Sequence, residues 1–152
     1  MTPAVLFALV PLMVDETPRH FHFSASQLPH EAASAFVRAC EERNPFPSDP
    51  DNKLCPVFLL VMAGEESAFN LHAVGDGGKA IGPFQEHTGG ELRDRSWLDS
   101  SRHYLNTVNI AARECPEQPI ARLAGERCGS SEHHARRWAQ ITRLLHEPTA
   151  AR

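Results

Sequence analysis

Residues 56–85 read PVFLLVMAGEESAFNLHAVGDGGKAIGPFQ, and most of the predicted architecture depends on this stretch. Its first part, residues 56–68, is apolar on most sides of a helix, which predicts the central buried helix of the protein. Pro56 suits the first turn of that helix, where a missing backbone N–H leaves no hydrogen bond unmade. The glycines that follow, at positions 75, 77, 78 and 82, predict turns and a small hairpin.

Helical patterns continue on both sides of this stretch. Apolar residues recur at helical spacing over residues 26–43, 98–113, 120–127 and 131–146, and Ser131 suits the N-cap of the last helix. The predicted apolar positions of residues 98–113 are Tyr104, Leu105, Val108, Ile110 and Ala111. Residues 44–50 (NPFPSDP) break the first helix with three prolines. The chain is therefore predicted to be mainly α (α+β), a helical domain with one small glycine-rich hairpin region.

The N-terminal segment, residues 4–14, is an apolar run that includes Pro11. It is shorter than the roughly 20 residues of a membrane-spanning helix, so no stable membrane span is predicted. Its length suits an export signal, but no Lys or Arg precedes it and no clear cleavage site follows. It is therefore either a degenerate export signal or a hydrophobic arm that packs on the domain. We expect residues 1–24 to form this segment and an irregular lead-in, and residues 25–148 to form one domain.

Charge and cysteine content limit the classes of partner and compartment. A net charge of −4 over 152 residues argues against non-specific nucleic-acid binding, which needs a basic face. The four cysteines lie at positions 40, 55, 115 and 128, and none forms a C-x-x-C pair, which argues against a zinc ribbon. In an oxidising compartment three pairings are possible. Nearness in sequence favours Cys40–Cys55 and Cys115–Cys128, whereas in a reducing compartment all four stay free thiols.

Two adjacent carboxylates, Glu65 and Glu66, stand at the end of the buried helix. A carboxyl group at the mouth of a buried helix is partly desolvated, which favours its protonated form near neutrality. A protonated carboxyl group can donate its proton to a glycosidic oxygen. This position therefore suits the general acid of a glycosidase.

Residues 66–74 (ESAFNLHAV) and 82–85 (GPFQ) resemble the signature of soluble lytic transglycosylases and goose-type lysozymes. In that family the pattern is E-S-x-F-N-x-x-A, then a glycine turn, then G-L-M-Q. The resemblance implies a lysozyme-like fold, with Glu66 as the catalytic acid. It also implies that Ser67 helps to hold the pocket together and that Gln85 lines the sugar-binding cleft, with Phe84 at the position of the family's methionine.

The resemblance extends more weakly to residues 109–112 (NIAA) and 123–129, so that it covers roughly residues 56–145. Here the chain departs from the family, because Glu126 stands where the family has a tyrosine in A-x-Y-N-x-G, and Arg127 stands where it has the asparagine. How the substrate's N-acetyl group is held is therefore open. Glu126 itself, a shifted alignment, and Tyr104 (the only tyrosine, on another predicted helix) are the alternatives.

Asp76 lies in residues 75–82 (GDGGKAIG), which resemble the G-D-x-G turn of goose-type lysozymes, whose Asp is proposed to help position water. With Glu66 alone, the sugar's own hydroxyl would attack the anomeric carbon and give an anhydro product. With Glu66 and Asp76 together, water could be activated and the bond hydrolysed. An Asp before Gly is also common as a turn residue that caps its own backbone.

The resemblance implies cleavage of the β-1,4 bond between N-acetylmuramic acid and N-acetylglucosamine in peptidoglycan glycan strands. It implies no cofactor and no metal, a monomer, and action in the periplasm or outside the cell. Two readings from other classes remain: a non-catalytic cell-wall-binding domain, and a disulfide-linked helical protein that binds a protein partner.

Several other polar and aromatic residues receive simpler structural interpretations. Glu65 is predicted to be a solvated neighbour of Glu66, and the basic pair at positions 136 and 137 to lie on a solvated helix face. Histidines 20, 22, 133 and 134 lack a further ligand at metal-binding spacing and are predicted to lie at the surface. Of the two tryptophans, which could both stack on sugars, Trp138 is predicted to belong to the core.

Overall fold

The structure, a computed structural model, describes residues 1–13, 23–49, 51–87, 95–128 and 132–146. Its helices are α1 (Pro3–Leu9), α2 (His30–Glu42), α3 (Leu54–Ser67), α4 (Trp97–Glu114), α5 (Pro119–Leu123) and α6 (Glu132–His146). Short 3₁₀ turns lie at Val10–Leu12, Ala25–Gln27 and Asp76–Gly78, and the strands are β1 (Val74–Gly75) and β2 (Ala80–Ile81). The prediction of a mainly helical chain with one small hairpin is confirmed. The predicted cap Ser131 and the histidines at 20 and 22 lie outside the described residues.

Helix α3 is the central buried helix, as its sequence predicts. Every residue from Cys55 to Gly64 is buried, and α1, α2 and α6 pack around it. A fully buried side chain of the Val, Leu or Phe class contributes about 1.5–3 kcal/mol to the free energy of unfolding, so this helix supplies much of the core. Its last turn, residues 65–67, is only partly buried, and there the polar residues begin.

Helices α2, α4 and α6 are amphipathic and cover the core with one face each. On α4, Tyr104, Leu105, Val108 and Ala111 are buried as predicted, whereas Ile110 is 59% exposed. The prediction for Ile110 is wrong because its position on the helix, between Val108 and Ala111 in sequence, turns it away from the face that packs on α2 and α5.

The N-terminal segment packs against the rest of the protein. Leu6, Leu9, Val10 and Met13 are buried in the same hydrophobic core as α3. The methyl group of Met13 lies against Gly64 of α3, where a Cβ atom would come within 2.6 Å of it. Among the helices that the structure describes, none combines the length and the apolar composition needed to cross a membrane.

Two disulfides connect neighbouring helices. Cys40–Cys55 joins the end of α2 to the first turn of α3, and Cys115–Cys128 joins the end of α4 to the segment after α5. The pairing that nearness in sequence favours is confirmed, and the described cysteines include no free thiol.

The hairpin is two residues deep, with Val74 paired to Ile81 and Gly75 to Ala80. A further antiparallel bridge joins Ile81 to Glu86, so the chain doubles back once more over residues 82–85. These two pairings fix the backbone of the segment that follows β2. They set the positions of the side chains that the GPFQ motif brings to the cleft.

Candidate active site

A cleft of about 630 Å³ lies beside the end of α3. Its lining comes from α3, the segment after β2, α4, α5 and α6. The lining residues are chiefly Met62, Glu66, Phe84, Gln85, Glu86, His87, His103, Tyr104, Thr107, Ile120, Leu123, His134 and Arg137. Four of the residues predicted from the sequence are therefore brought together: Glu66, Phe84, Gln85 and Tyr104. The cleft combines apolar and aromatic walls with a few polar groups, which is the usual composition of a ligand site.

Glu66 lies in the last turn of α3, and the helix ends abruptly behind it. Ala68 and Phe69 both adopt left-handed backbone conformations, with φ of 50° and 61°. Such a conformation costs roughly 1–2 kcal/mol in a residue other than glycine. Ser67 offsets part of this cost, because its Oγ donates to the Ala63 carbonyl at 2.9 Å and accepts from the Asn70 N–H at 3.1 Å. Ser67 does not line the cleft; it holds the turn that presents Glu66.

Arg137 of α6 binds the carboxylate of Glu66 through its Nη1 atom. Its Nη2 atom lies 3.9 Å from an oxygen of Glu65, whose side chain is only 2% exposed and also accepts a hydrogen bond from Gln140. The prediction that Glu65 is solvated is therefore wrong. The prediction of a solvated basic pair holds for Arg136, whose side chain is 59% exposed, and fails for Arg137, whose side chain is 12% exposed. Neither departure can be seen in the sequence, because both depend on how α6 packs against α3.

Gln85 is held in a left-handed conformation, with φ of 48°, at the end of the turn over residues 82–85. Its Nε2 atom donates to the carbonyl of Gly82 at 2.9 Å. Its Oε1 atom lies beside Gly75, so a side chain at position 75 would require the end of Gln85 to move. The hairpin and the turn thus fix the side chain of Gln85 at the rim of the cleft.

Tyr104 stacks on Phe84 with ring centroids 4.3 Å apart and an interplanar angle of 6°. Burial raises the pKa of Tyr104 well above its ordinary value, and the negative charges of Glu66 and Glu86 raise it further, whereas Arg137 opposes them. The phenol therefore remains a neutral O–H group over the whole physiological range. Tyr104 lines the same cleft as both carboxylates.

Glu86 is a second carboxylate of the cleft that the sequence did not single out. Its side chain is 10% exposed, and the Nδ1 atom of His103 lies 3.1 and 3.2 Å from its two oxygens. Burial raises the pKa of Glu86, and the charges of His103 and Arg95 and the hydrogen bond from His103 oppose that rise. Its place directly after Gln85 in the motif is the one signal in the sequence that could have identified it.

The two remaining predicted site residues, Asp76 and Glu126, do not line the cleft. The carboxylate of Asp76 is 68% exposed and lies 3.0 Å from the Nε2 atom of His87. A carboxylate oxygen of Glu126 lies 3.2 Å from the Nδ1 atom of His134. His134 itself is buried, so its predicted surface position is wrong.

Both tryptophans pack against the hydrophobic core, Trp97 as a buried residue and Trp138 as a partly buried one. Trp138 contacts the rings of Phe46 and Phe58, and Trp97 contacts Phe36 edge to face. The core assignment of Trp138 is therefore confirmed, and Trp97 is 95% buried rather than available as a sugar platform. Within the described ranges, no group of three or more His, Cys, Asp and Glu side chains is placed to hold a metal ion.

Comparison of the chain with protein-family models, with curated proteins and with solved structures finds no match.

Proposed function

We propose that the protein cleaves the β-1,4 bond between N-acetylmuramic acid and N-acetylglucosamine of peptidoglycan, with Glu66 as its general acid. The observation that carries this proposal is the position of Glu66, a partly exposed carboxyl group at the end of a buried helix, on the wall of a cleft of about 630 Å³. A cleft of this size lies within the range of about 300–1,000 Å³ that is typical of ligand sites. The lysozyme-like fold, of the kind found in lytic transglycosylases and goose-type lysozymes, is part of the same proposal.

The chemistry begins with transfer of a proton from Glu66 to the glycosidic oxygen, as the bond from that oxygen to the anomeric carbon breaks. Positive charge then develops on the sugar ring, and the carboxylates of the cleft stabilise it. The reaction is completed when an oxygen nucleophile bonds to the anomeric carbon. In a lytic transglycosylase that nucleophile is a hydroxyl group of the same sugar, whose proton returns to Glu66; in a lysozyme it is water.

Arg137 is compatible with this role because it has two carboxylate partners. Glu66 must leave the guanidinium to reach a glycosidic oxygen, and Glu65 lies 3.9 Å from Nη2 to compensate the charge that remains. The side chain of Glu65 is 2% exposed and does not line the cleft. Of the two adjacent carboxylates, Glu66 is therefore the one that can serve as acid.

We place the activity outside the cytoplasm, in the periplasm or the extracellular space, where peptidoglycan lies. The two disulfides support that placement, because disulfides persist in oxidising compartments.

The test is digestion of purified peptidoglycan by the wild type, by Glu66→Gln and by a matched control, Glu31→Gln, which alters an exposed acid in the first turn of α2. The amount of soluble muropeptide released is measured by liquid chromatography and mass spectrometry. We expect release by the wild type and the control, and a fall of about 10²–10⁴-fold for Glu66→Gln, the range for loss of a general acid. Equal release by Glu66→Gln, or none by the wild type, would contradict the proposal.

A second candidate, a non-catalytic cell-wall-binding domain, is favoured by one observation. The carboxylate of Glu66 is occupied by Arg137, as it would be if it served only to shape a binding cleft. Cosedimentation with peptidoglycan, without release of any soluble fragment, would support this candidate and exclude the enzyme.

A further inference from the structure

Glu86 is a carboxylate in the cleft with no assigned role. Of the described acidic side chains that line the cleft, it and Glu66 are the two. They come from different elements: Glu66 from the last turn of α3, and Glu86 from the segment after β2. Asp76, the residue to which the resemblance would give the second role, lies at the surface against His87.

The position of Glu86 is fixed at both its backbone and its side chain. Its N–H donates to the Ile81 carbonyl at 3.1 Å, and its own carbonyl accepts from the Ile81 N–H at 3.0 Å. The Nδ1 atom of His103 lies within 3.2 Å of both carboxylate oxygens. A side chain held in this way does not need to be ordered when substrate arrives, which is the main requirement for a catalytic group.

The environment of Glu86 also suits proton uptake. Burial raises its pKa, and His103 and Arg95 lower it by a smaller amount, so the carboxylate accepts a proton more readily than an exposed glutamate. Tyr104 lines the same cleft as Glu66 and Glu86; burial raises its pKa, and the negative charges of both carboxylates raise it further. The ring of Tyr104 thus lies in a cleft that has one acid on α3 and another beyond β2.

We infer that Glu86, held by His103, is the base that activates water, so that the protein hydrolyses the glycosidic bond instead of forming an anhydro sugar. This inference rests on the proposed function. In the step, a water oxygen bonds to the anomeric carbon and its proton passes to Glu86, while the bond to the leaving oxygen breaks. The leaving oxygen keeps the electron pair of that bond and takes the proton of Glu66. A single displacement of this kind inverts the anomeric configuration.

The experiment is digestion of peptidoglycan in H₂¹⁸O by the wild type, Glu86→Gln, Glu86→Ala, Glu66→Ala and Asp76→Asn, with products identified by mass spectrometry. From the wild type we expect reducing-end muropeptides that carry one ¹⁸O at the anomeric carbon. From Glu86→Gln we expect these hydrolysis products to fall by about 10²-fold or more, as for other positioned bases. His103→Asn should lower the same products less, because it removes the holder of Glu86 and leaves the carboxylate.

Sodium azide separates a chemical role of Glu86 from a structural one. Azide is a small anion that attacks the anomeric carbon without a base, so it should restore bond cleavage to Glu86→Ala and yield an α-glycosyl azide. It should not restore cleavage to Glu66→Ala, because azide cannot donate the proton that the leaving oxygen needs. A Glu86→Ala protein that is merely misfolded would gain nothing from azide.

The outcomes distinguish this inference from the proposed function. Anhydro products without ¹⁸O from the wild type would leave Glu66 as acid and overturn the role of Glu86. Loss of ¹⁸O incorporation in Asp76→Asn, with Glu86→Gln unaffected, would assign the base to Asp76 and overturn it as well. No product from the wild type would overturn both.

Discussion

At the scale of single residues, Arg137 determines how two adjacent carboxylates can coexist at the end of α3. The side chain of Glu65 is almost fully buried, and a buried carboxylate is costly unless a partner compensates its charge. Arg137 supplies that charge to Glu65 and Glu66 at once, while Gln140 supplies one hydrogen bond. The arginine therefore contributes to stability as well as to the arrangement of the cleft.

We predict that Arg137→Gln lowers the free energy of unfolding by about 3 kcal/mol, the cost of removing one partner from a largely buried ion pair. The matched control is Arg136→Gln, on the same helix. Its arginine is exposed and pairs with Glu132 at 3.5 Å, so its loss should change stability by no more than about 0.5 kcal/mol. Urea denaturation followed by circular dichroism measures both. Equal effects of the two substitutions would show that the buried pair contributes nothing.

The candidate site could be predicted from the sequence only where its residues lie in one local motif. Glu66, Phe84 and Gln85 are set by α3 and the turn after β2, which are close in the chain, and they do meet in the cleft. Arg137 is 71 residues from Glu66, and its approach depends on which face of α6 packs on α3. No periodicity within one segment reveals such a contact.

Glu86 and Asp76 show that prediction from the local sequence also fails over a much shorter stretch of chain. The two carboxylates are ten residues apart, Asp76 between the two strands and Glu86 after β2, yet Glu86 lines the cleft and Asp76 pairs with His87 at the surface. Glu86 is held by the antiparallel bridge to Ile81 and by His103, whereas the carboxylate of Asp76 is 68% exposed. A bridge this short leaves no alternating pattern in the sequence.

At the scale of elements, the packing of the N-terminal segment on α3 depends on one glycine. Met13 is fully buried, and its methyl group occupies the space that a side chain at position 64 would need. Phe69 approaches the same space from the turn after α3, at 3.0 Å from the position of a Cβ atom. Gly64 thus connects the N-terminal segment to the helix turn that carries the two carboxylates.

We predict that Gly64→Ala destabilises the protein by about 1–2 kcal/mol, because overpacking against Met13 exceeds the gain of about 1 kcal/mol in helix propensity. In a Met13→Ala background the collision with Met13 is relieved and only the 3.0 Å contact with Phe69 remains, so the same substitution should cost less. Thermal or urea unfolding of the four proteins of this double-mutant cycle gives the coupling between the two sites. Additive effects would contradict the close approach of Met13 to α3.

Helix positions were predictable because apolar residues repeat with the period of the α-helix. Helices α2, α3, α4 and α6 lie where this period indicates, to within a few residues. Their ends were less predictable: the helix expected from residue 26 begins at His30, after a separate 3₁₀ turn and Pro29. The short helix expected over residues 120–127 is observed as α5 but ends earlier, at Leu123. The exposure of Ile110 on α4 depends on neighbouring elements that a single segment does not specify.

At the scale of the whole molecule, the Cys40–Cys55 disulfide fixes α2 against the beginning of α3. Glu66 lies eleven residues further along α3, roughly 16 Å away at 1.5 Å per residue. We predict that Cys40→Ser combined with Cys55→Ser lowers the free energy of unfolding by about 3 kcal/mol, the usual effect of a bridge over a loop of this length.

The double variant should keep the wild-type rate of the proposed peptidoglycan cleavage at temperatures where it remains folded, because the bridge is remote from the cleft. Guanidinium denaturation measures the stability and muropeptide release measures the rate. Loss of activity in a protein that circular dichroism shows to be folded would contradict this separation of bridge and site.

Both disulfides join cysteines that are close in the chain, 15 and 13 residues apart. Either of the other two pairings would close far longer loops, and the entropy of closing a loop grows with its length. Random collisions in the reduced, unfolded chain therefore already favour the native partners. As a ribosome or a translocation channel releases the chain, Cys40 can meet Cys55 before Cys115 has emerged. The order in which the chain emerges therefore favours the native disulfide pairing. Oxidative refolding should need little reshuffling of disulfides.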